Sequence, residues 1–195
     1  TGASGVNYQT SGIDFAEYFV KDGSQFTEGE VTALGPDGVT KASTPYDSRL
    51  LGVVSAHPGF SGGIDGPNKV LVAIVGQIPV KIDPASPTIA VGDYLTASSL
   101  AGTATKAVKP GFVIGKALAT SNPGQPTGTI YMYASTTWVD PNYALAFDTT
   151  GNLTVSGTLT AADVESSATD ISLSSINSQL SILDSQIASA SAELA

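Results

Sequence analysis

The chain has no cysteine, one histidine and only eight basic residues against seventeen acidic ones in a length of 195. Without thiols there are no disulfides and no thiolate metal sites, which suits a protein that lives outside the cell and is stabilised by assembly instead. The lone imidazole, His57, sits in a Ser-Ala-His-Pro-Gly turn with no second histidine to build a metal set and no nucleophile elbow beside it, so neither metal nor cofactor is expected. The shortage of positive charge leaves a formal net charge of −9, which repels phosphate backbones and anionic headgroups and argues against nucleic acid as a partner. No apolar run approaches the roughly 18 residues of a membrane-spanning helix, so no membrane contact is expected of this segment. Beginning at Thr1 rather than Met, the chain reads as a piece of something longer.

What is present points to β structure. The chain is 42% hydrophobic, enough for a real core, with 21 glycines and 11 prolines among many Thr, Val and Ser, the composition of short strands joined by tight turns. An internal repeat appears when the chain is slid against itself by 63 residues: EGEVTALGPDGVTKA from Glu28 aligns with VGDYLTASSLAGTATKA from Val91, and LLGVVSAHPG with VIGKALATSNPG. Gly29 then matches Gly92 and Gly52 matches Gly115, so each half reads as a small β-meander with strands expected at 29–34 and 92–97, and at 52–56 and 115–119. Between the halves, VLVAIVGQIPVKI at 70–82 is a long β-branched run whose Gly76 and Pro79 predict strands that bend as they cross a barrel or sandwich. Two similar apolar faces, joined by that crossing, are expected to bury one another around one core.

The pattern changes beyond 135. Leu153, Val155, Gly157 and Leu159 alternate with Thr and Ser, a strand with one apolar stripe and too little chain around it to cover that stripe. Leu173, Ile176, Leu180, Leu183, Ile187, Ala190 and Leu194 are then spaced alternately three and four apart, the a and d positions of a coiled coil, flanked by Ser, Asn, Gln and Ala. A strand with one apolar stripe closes into a three-sided prism more completely than into an open dimer, so the expected assembly is a parallel homotrimer. The fold class predicted is therefore mainly β: an N-terminal arm (1–13), a duplicated β-meander barrel or sandwich head (14–135), a short β-prism shaft (136–165) and a parallel coiled-coil helix (166–195). Its trimer seam would comprise Leu153, Val155, Leu159, Leu173, Ile176, Leu180, Leu183, Ile187, Ala190 and Leu194.

Two carboxylates three positions apart, Asp14 and Glu17, stand in the otherwise apolar and aromatic run GIDFAEYFVKD at 12–22. If both lay in one pocket, repulsion would raise one pKa and leave the other ionised, the arrangement of general acid-base work. As structural groups they would instead satisfy buried backbone or basic groups, with the chain's single arginine, Arg49, as the natural partner. The run from Gly12 to Leu34, with VTKASTPYDSRLLGVVSAHPG at 39–59, resembles the phage-type peptidase G2 family, the intramolecular-chaperone autoproteolytic domain of tail appendage proteins. It is similar as well to a related β-domain of bacterial surface and fibre proteins. The resemblance rests on Asp14 to Tyr18, Gly29 to Val31 and Leu51 to Ser55, and it implies a β domain in a fibre that cuts itself at a Ser-Asp bond. Asp14 and Glu17 occupy the assisting positions of that reaction, but Ile13 stands where the serine would be and supplies no hydroxyl to attack a carbonyl.

Three functions follow as expectations. The first is a structural, non-enzymatic subunit of an extracellular homotrimeric fibre or appendage on a bacterium or phage, with its own copies as partners. The second is an autoproteolytic chaperone using Asp14 and Glu17. The third is an adhesin tip that touches a surface glycan or receptor through the Gly-rich loop HPGFSGGIDGPN, with His57, Phe60, Asp65 and Asn68 as contact residues. Tyr131, Tyr133, Trp138 and Tyr143 could stack a sugar, but at the junction of body and shaft they are read as aromatic core of an interface.

Overall fold

The computed structural model describes residues 6–8, 12–121, 128–143, 145–158, 160 and 173–193. It divides into two compact units, Thr1–Ala146 and Phe147–Ala195. The first is a single curled, mainly antiparallel sheet of eleven strands. In chain order these are β1 (Val6–Tyr8), β2 (Asp14–Val20), β3 (Val31–Gly35), β4 (Gly38–Lys41), β5 (Leu50–Val54) and β6 (Phe60–Gly62). They continue as β7 (Lys69–Lys81), β8 (Tyr94–Ala97), β9 (Ala104–Lys106), β10 (Gly111–Ala117) and β11 (Thr129–Val139). The N-terminal arm joins this sheet, because β1 pairs antiparallel with β6, which in turn runs parallel to β2.

Everything in the first unit hangs on β7, a 13-residue strand rich in β-branched side chains. Its first part pairs with β2 from Lys69 to Gly76 and with β5 at Val72 and Ala73; its second part pairs with β11 from Val75 to Lys81. The handover is made by a bulge, in which Phe15 faces Val75 and Ala16 faces Ala73, so that Ile74 is the extra residue. Gly76 follows at φ +113°, and a Cβ there would lie 2.7 Å from Asp14 Cα, so the bend is open only to glycine.

The two meanders repeat residue for residue in their pairing. Thr32 pairs with Gly52 and with Lys41; Leu95 pairs with Gly115 and with Lys106. The Gly29 and Gly92 amides donate to the Val54 and Ala117 carbonyls at 2.9 and 2.8 Å, and the Val54 and Ala117 amides donate to the Glu30 and Asp93 carbonyls at 2.8 Å each. Each turn closes on a carboxylate: Glu30 accepts from the Thr27 amide and pairs with Lys41 at 2.9 Å, and Asp93 accepts from the Ala90 amide and pairs with Lys106 at 2.7 Å. Partial burial works against ionisation of both acids, but the amide and the lysine more than offset it and hold both below the ordinary carboxylate range.

The faces these meanders bury are not alike, contrary to the expectation from the repeat. The first sends Val31, Ala33 and Val53 into the main core, whereas the second sends Leu95, Ala97 and Ala117, whose counterparts 63 residues earlier are Thr32, Leu34 and Val54. Leu34 is 48% exposed and Ala97 fully buried. Val54 instead joins Val39, Val70 and Val72 in a second, smaller cluster under Phe19, Phe26 and Leu51. One core thus holds both halves, but through opposite faces of the common frame; on the other face of the second meander Lys116 is exposed and Tyr94 half-buried, while Thr96 is fully buried.

The expected boundary at 135/136 falls inside β11, which continues through Val139 against Gly111 of β10. Further along the chain, β12 (Leu145–Phe147) and β13 (Leu153–Val155) form a two-stranded hairpin. Its turn is organised by Asp148, whose carboxylate accepts from the amides of Thr150 and Asn152, at 2.9 Å each, and from both of their side chains. Those bonds, the Thr150 hydroxyl first, hold the Asp148 carboxyl far below its usual range. The one helix among the described residues, α1, runs Leu173–Glu193 and is not long and apolar enough to cross a membrane.

Gly52 and Gly115 occupy matching places where backbones touch: a Cβ on Gly52 would lie 2.1 Å from the Ala73 carbonyl oxygen, and on Gly115 2.0 Å from that of Tyr133. Gly52→Ala and Gly115→Ala should each cost about 3 kcal/mol or more in chemical denaturation, the upper end of overpacking. Gly92→Ala, at φ +90° with open space around it, should cost only about 1 to 2 kcal/mol, the left-handed backbone penalty alone.

Candidate functional site

Asp14 opens β2 beneath the bend of β7 and is 6% exposed. Its backbone carbonyl accepts from the Gly59 amide at 2.9 Å, which ties the 57–59 turn to the strand entrance. The Ser55 hydroxyl bonds to its carboxyl, and Oδ2 has no hydrogen-bond partner. Burial raises the Asp14 pKa above the ordinary value; Ser55 pulls it back in part, and the Glu28 charge adds to the rise. Among the described residues no cation pairs with it: Arg49, the expected partner, makes a bidentate pair with Asp47, at 3.0 and 2.8 Å.

The structure does not bring Asp14 and Glu17 into one pocket. An odd spacing on a strand puts them on opposite faces, and the burial pattern of β2 follows that alternation, Asp14 and Ala16 inward, Phe15 and Glu17 outward. Glu17 lies over Gly62 of β6, its Cγ 3.4 Å from where a Gly62 Cβ would be. Ile13, on the other side of the peptide bond in question, is 60% exposed. The arrangement is a buried, unpaired carboxyl rather than an acid-base dyad.

The Gly-rich loop is less free than its sequence suggests. Phe60 is the first residue of β6 and stacks on Phe15, with ring centroids 4.7 Å apart. Asp65 accepts from the Gly66 amide at 2.7 Å, the Asn68 carbonyl accepts from the Lys21 amide at 3.1 Å, and Lys69 donates to the Ile64 carbonyl at 2.7 Å. His57 is exposed, but Pro58 beside it is buried. Of the four expected contact residues, Phe60 belongs to the sheet, Asp65 and Asn68 sit in turns, and His57, Asp65 and Asn68 are exposed.

An open aromatic face lies elsewhere, on β8, β10 and β11. Along β11 the pattern Ile130, Met132, Ala134 points into the core, and Tyr131 and Tyr133 point out, 53% and 46% exposed. Lys116 pairs in register with Tyr94 on one side and Tyr133 on the other. A depression of about 250 Å³ is lined by Tyr94, Gly115, Lys116, Tyr133, Ser135 and Thr137. Tyr131 and Tyr133, expected as interface core, are instead exposed within the chain, and nothing in the sequence pointed to Tyr94 and Lys116 beside them.

The hairpin and α1 present exposed apolar side chains. Leu145, Phe147 and Leu153 of the hairpin are 49%, 73% and 51% exposed, and Val155 is half-buried. On α1, Ile176, Leu180, Leu183 and Ile187 are 39%, 53%, 51% and 56% exposed. Ile182 is also exposed, at 58%, although it lies outside the a and d positions. Leu159, Leu194 and the side chains of Leu173 and Ala190 lie outside the described residues. No group of three or more His, Cys, Asp or Glu side chains able to hold a metal is found among the described residues.

Because burial favours protonated Asp14, its folded pKa exceeds its unfolded one, so the stability linked to it is full below the unfolded pKa and is lost as pH rises through the folded pKa. Asp14→Asn should therefore raise stability at neutral pH by about 1 to 3 kcal/mol, the range for relieving an unsatisfied buried group, with the gain shrinking towards acid. Thermal melts of both proteins across pH check this. A variant less stable than the parent at neutral pH would mean that the carboxylate is charge-paired.

No family model matches the chain, and no curated protein matches it. Two solved structures do, both of bacteriophage phi29 gene product 12. Its C-terminal fragment is 19% identical at a TM-score of 0.47, over 63% of this chain and 100% of that one. The pre-mature protein is 18% identical at a TM-score of 0.48, over 69% of this chain and 22% of that one. Likeness of this order is too weak to carry a role across.

Proposed function

We propose that the chain is a structural, non-enzymatic subunit of an extracellular homotrimeric fibre or surface appendage, of a bacterium or a phage, in which the hairpin and α1 register three parallel copies. The observation that carries this reading is the apolar row on α1. A soluble chain that leaves Ile176, Leu180, Leu183 and Ile187 between 39% and 56% exposed on successive turns has a seam to cover. The helix also lacks the means to stand alone. Seven of its 21 residues are serine, Ser185 and Ser191 bond back to the carbonyls of Ser181 and Ile187, and neither end carries a charge that complements its dipole. A helix of this length and composition is marginal in water and takes its stability from packing.

The mechanism is association. Once the helices pair, the three hairpins are held at high local concentration, and Leu145, Phe147 and Leu153 close on one another rather than on foreign chains. The setting outside the cell rests on the resemblance of residues 12–60 to tail-appendage and surface-fibre domains and on the absence of cysteine.

Replacing Leu180 and Leu183 together by Asp puts unpaired carboxylates into adjacent layers of the seam, a penalty on the order of several kcal/mol per layer. Sedimentation should show trimer for the parent and monomer for the double variant, with the first unit still folded. An unchanged mass would mean that α1 is not the clamp.

A further inference from the structure

We propose that the outward row Tyr94, Lys116 and Tyr133 is a binding site for an acidic sugar, a monosaccharide unit bearing a carboxylate or a phosphate. This inference is independent of the trimeric reading. The row is continuous across three strands, because Lys116 is the register partner of both tyrosines. The Lys116 ammonium sits 4.7 Å above the Tyr94 ring, which leaves the Tyr133 ring uncovered beside it. Among the described residues Lys116 makes no ion pair, a state it shares with Lys21, Lys69 and Lys109, but of these it is the one that lines the depression.

The fold does not require these side chains. In the first meander the same three places of the frame, in the same register, are Val31, Val53 and Ala73, each fully buried in the core. In the second half these places hold Tyr94 and Lys116 of the meander and Tyr133 of β11, with Ser135 and Thr137 lining the same depression and Thr96, next along the face of β8, buried. Gly115 lets β10 approach β11.

Each group has a matching feature on an acidic sugar. A sugar ring offers a C–H face to Tyr133, hydroxyls to Ser135 and Thr137, and an anion to Lys116. The volume, about 250 Å³, lies below the roughly 300 to 1,000 Å³ of a drug-sized site and suits a single ring. In a chain of net charge −9 an anion is not attracted from afar, so recognition has to come from contact at this unpaired cation.

The test titrates the full chain, by calorimetry and ligand-observed NMR, with glucuronic acid, glucose 6-phosphate, glucose and inorganic phosphate. At least one of the two acids should bind with a dissociation constant on the order of 1 mM, and glucose and phosphate each about tenfold more weakly. The stronger of the two acids identifies the anion as carboxylate or phosphate. Lys116→Gln should reduce the acids to the level of glucose, Tyr133→Ala should weaken both acids and glucose, and His57→Ala should change nothing; amide spectra establish that each variant is folded. The proposal is overturned if neither acid binds, if phosphate alone binds as well as the sugar acids, or if folded Lys116→Gln and Tyr133→Ala bind like the parent. It is overturned as well if these two substitutions lower the sedimentation mass, since the face would then be a contact between copies.

Discussion

The first unit depends on one strand changing partners. β7 must pair with β2 and β5 through its first part and with β11 through its second, and a straight strand cannot turn from one neighbour to the next. The bulge at Ile74 and the positive φ of Gly76 supply the turn, and they bring the Asp14 backbone so close that no side chain fits at 76. Two consequences follow. Asp14 is trapped under the bend with one carboxyl oxygen unpartnered, and the two meanders, attached at different parts of a bent strand, offer opposite faces to the common core.

Much of this was written in local patterns. Gly29 with Gly92 and Gly52 with Gly115 mark the turns and close approaches of two similar meanders, and β-branched residues with Gly76 mark the long bent strand; β3, β5, β8 and β10 lie at or near those places. The heptad spacing from Leu173 coincides with the helix Leu173–Glu193. What stayed hidden depends on geometry that spacing cannot give. Arg49 satisfies Asp47, two residues away in a turn, so it is spent locally before Asp14 can recruit it. Asp14 and Glu17 looked like a pair because they are near in sequence, yet strand alternation separates them. Tyr94, Lys116 and Tyr133 look unrelated in sequence and become neighbours only when β8, β10 and β11 align.

The two units solve opposite problems. Residues up to 146 bury Ile78, Leu95, Ile114 and Met132 completely within their own chain. From 147 on, the described apolar side chains of the hairpin and of α1 stay half-exposed, and no lysine or arginine is available there to pair with Asp148 or Asp184. The proposed fibre reading assigns the two units different work, folding to the β head and registration of copies to the hairpin and α1.

Hydrogen exchange measured over a range of protein concentrations tests that division most directly. Amides of β7, β10 and β11 should keep the same protection at every concentration, because their partners are in the same chain. Amides of α1 bond within their own helix, so they should be protected at high concentration and exchange freely on dilution only if that helix takes its stability from packing on other chains. Protection of α1 that does not depend on concentration down to the monomer, or loss of protection in β7 on dilution, would contradict the account.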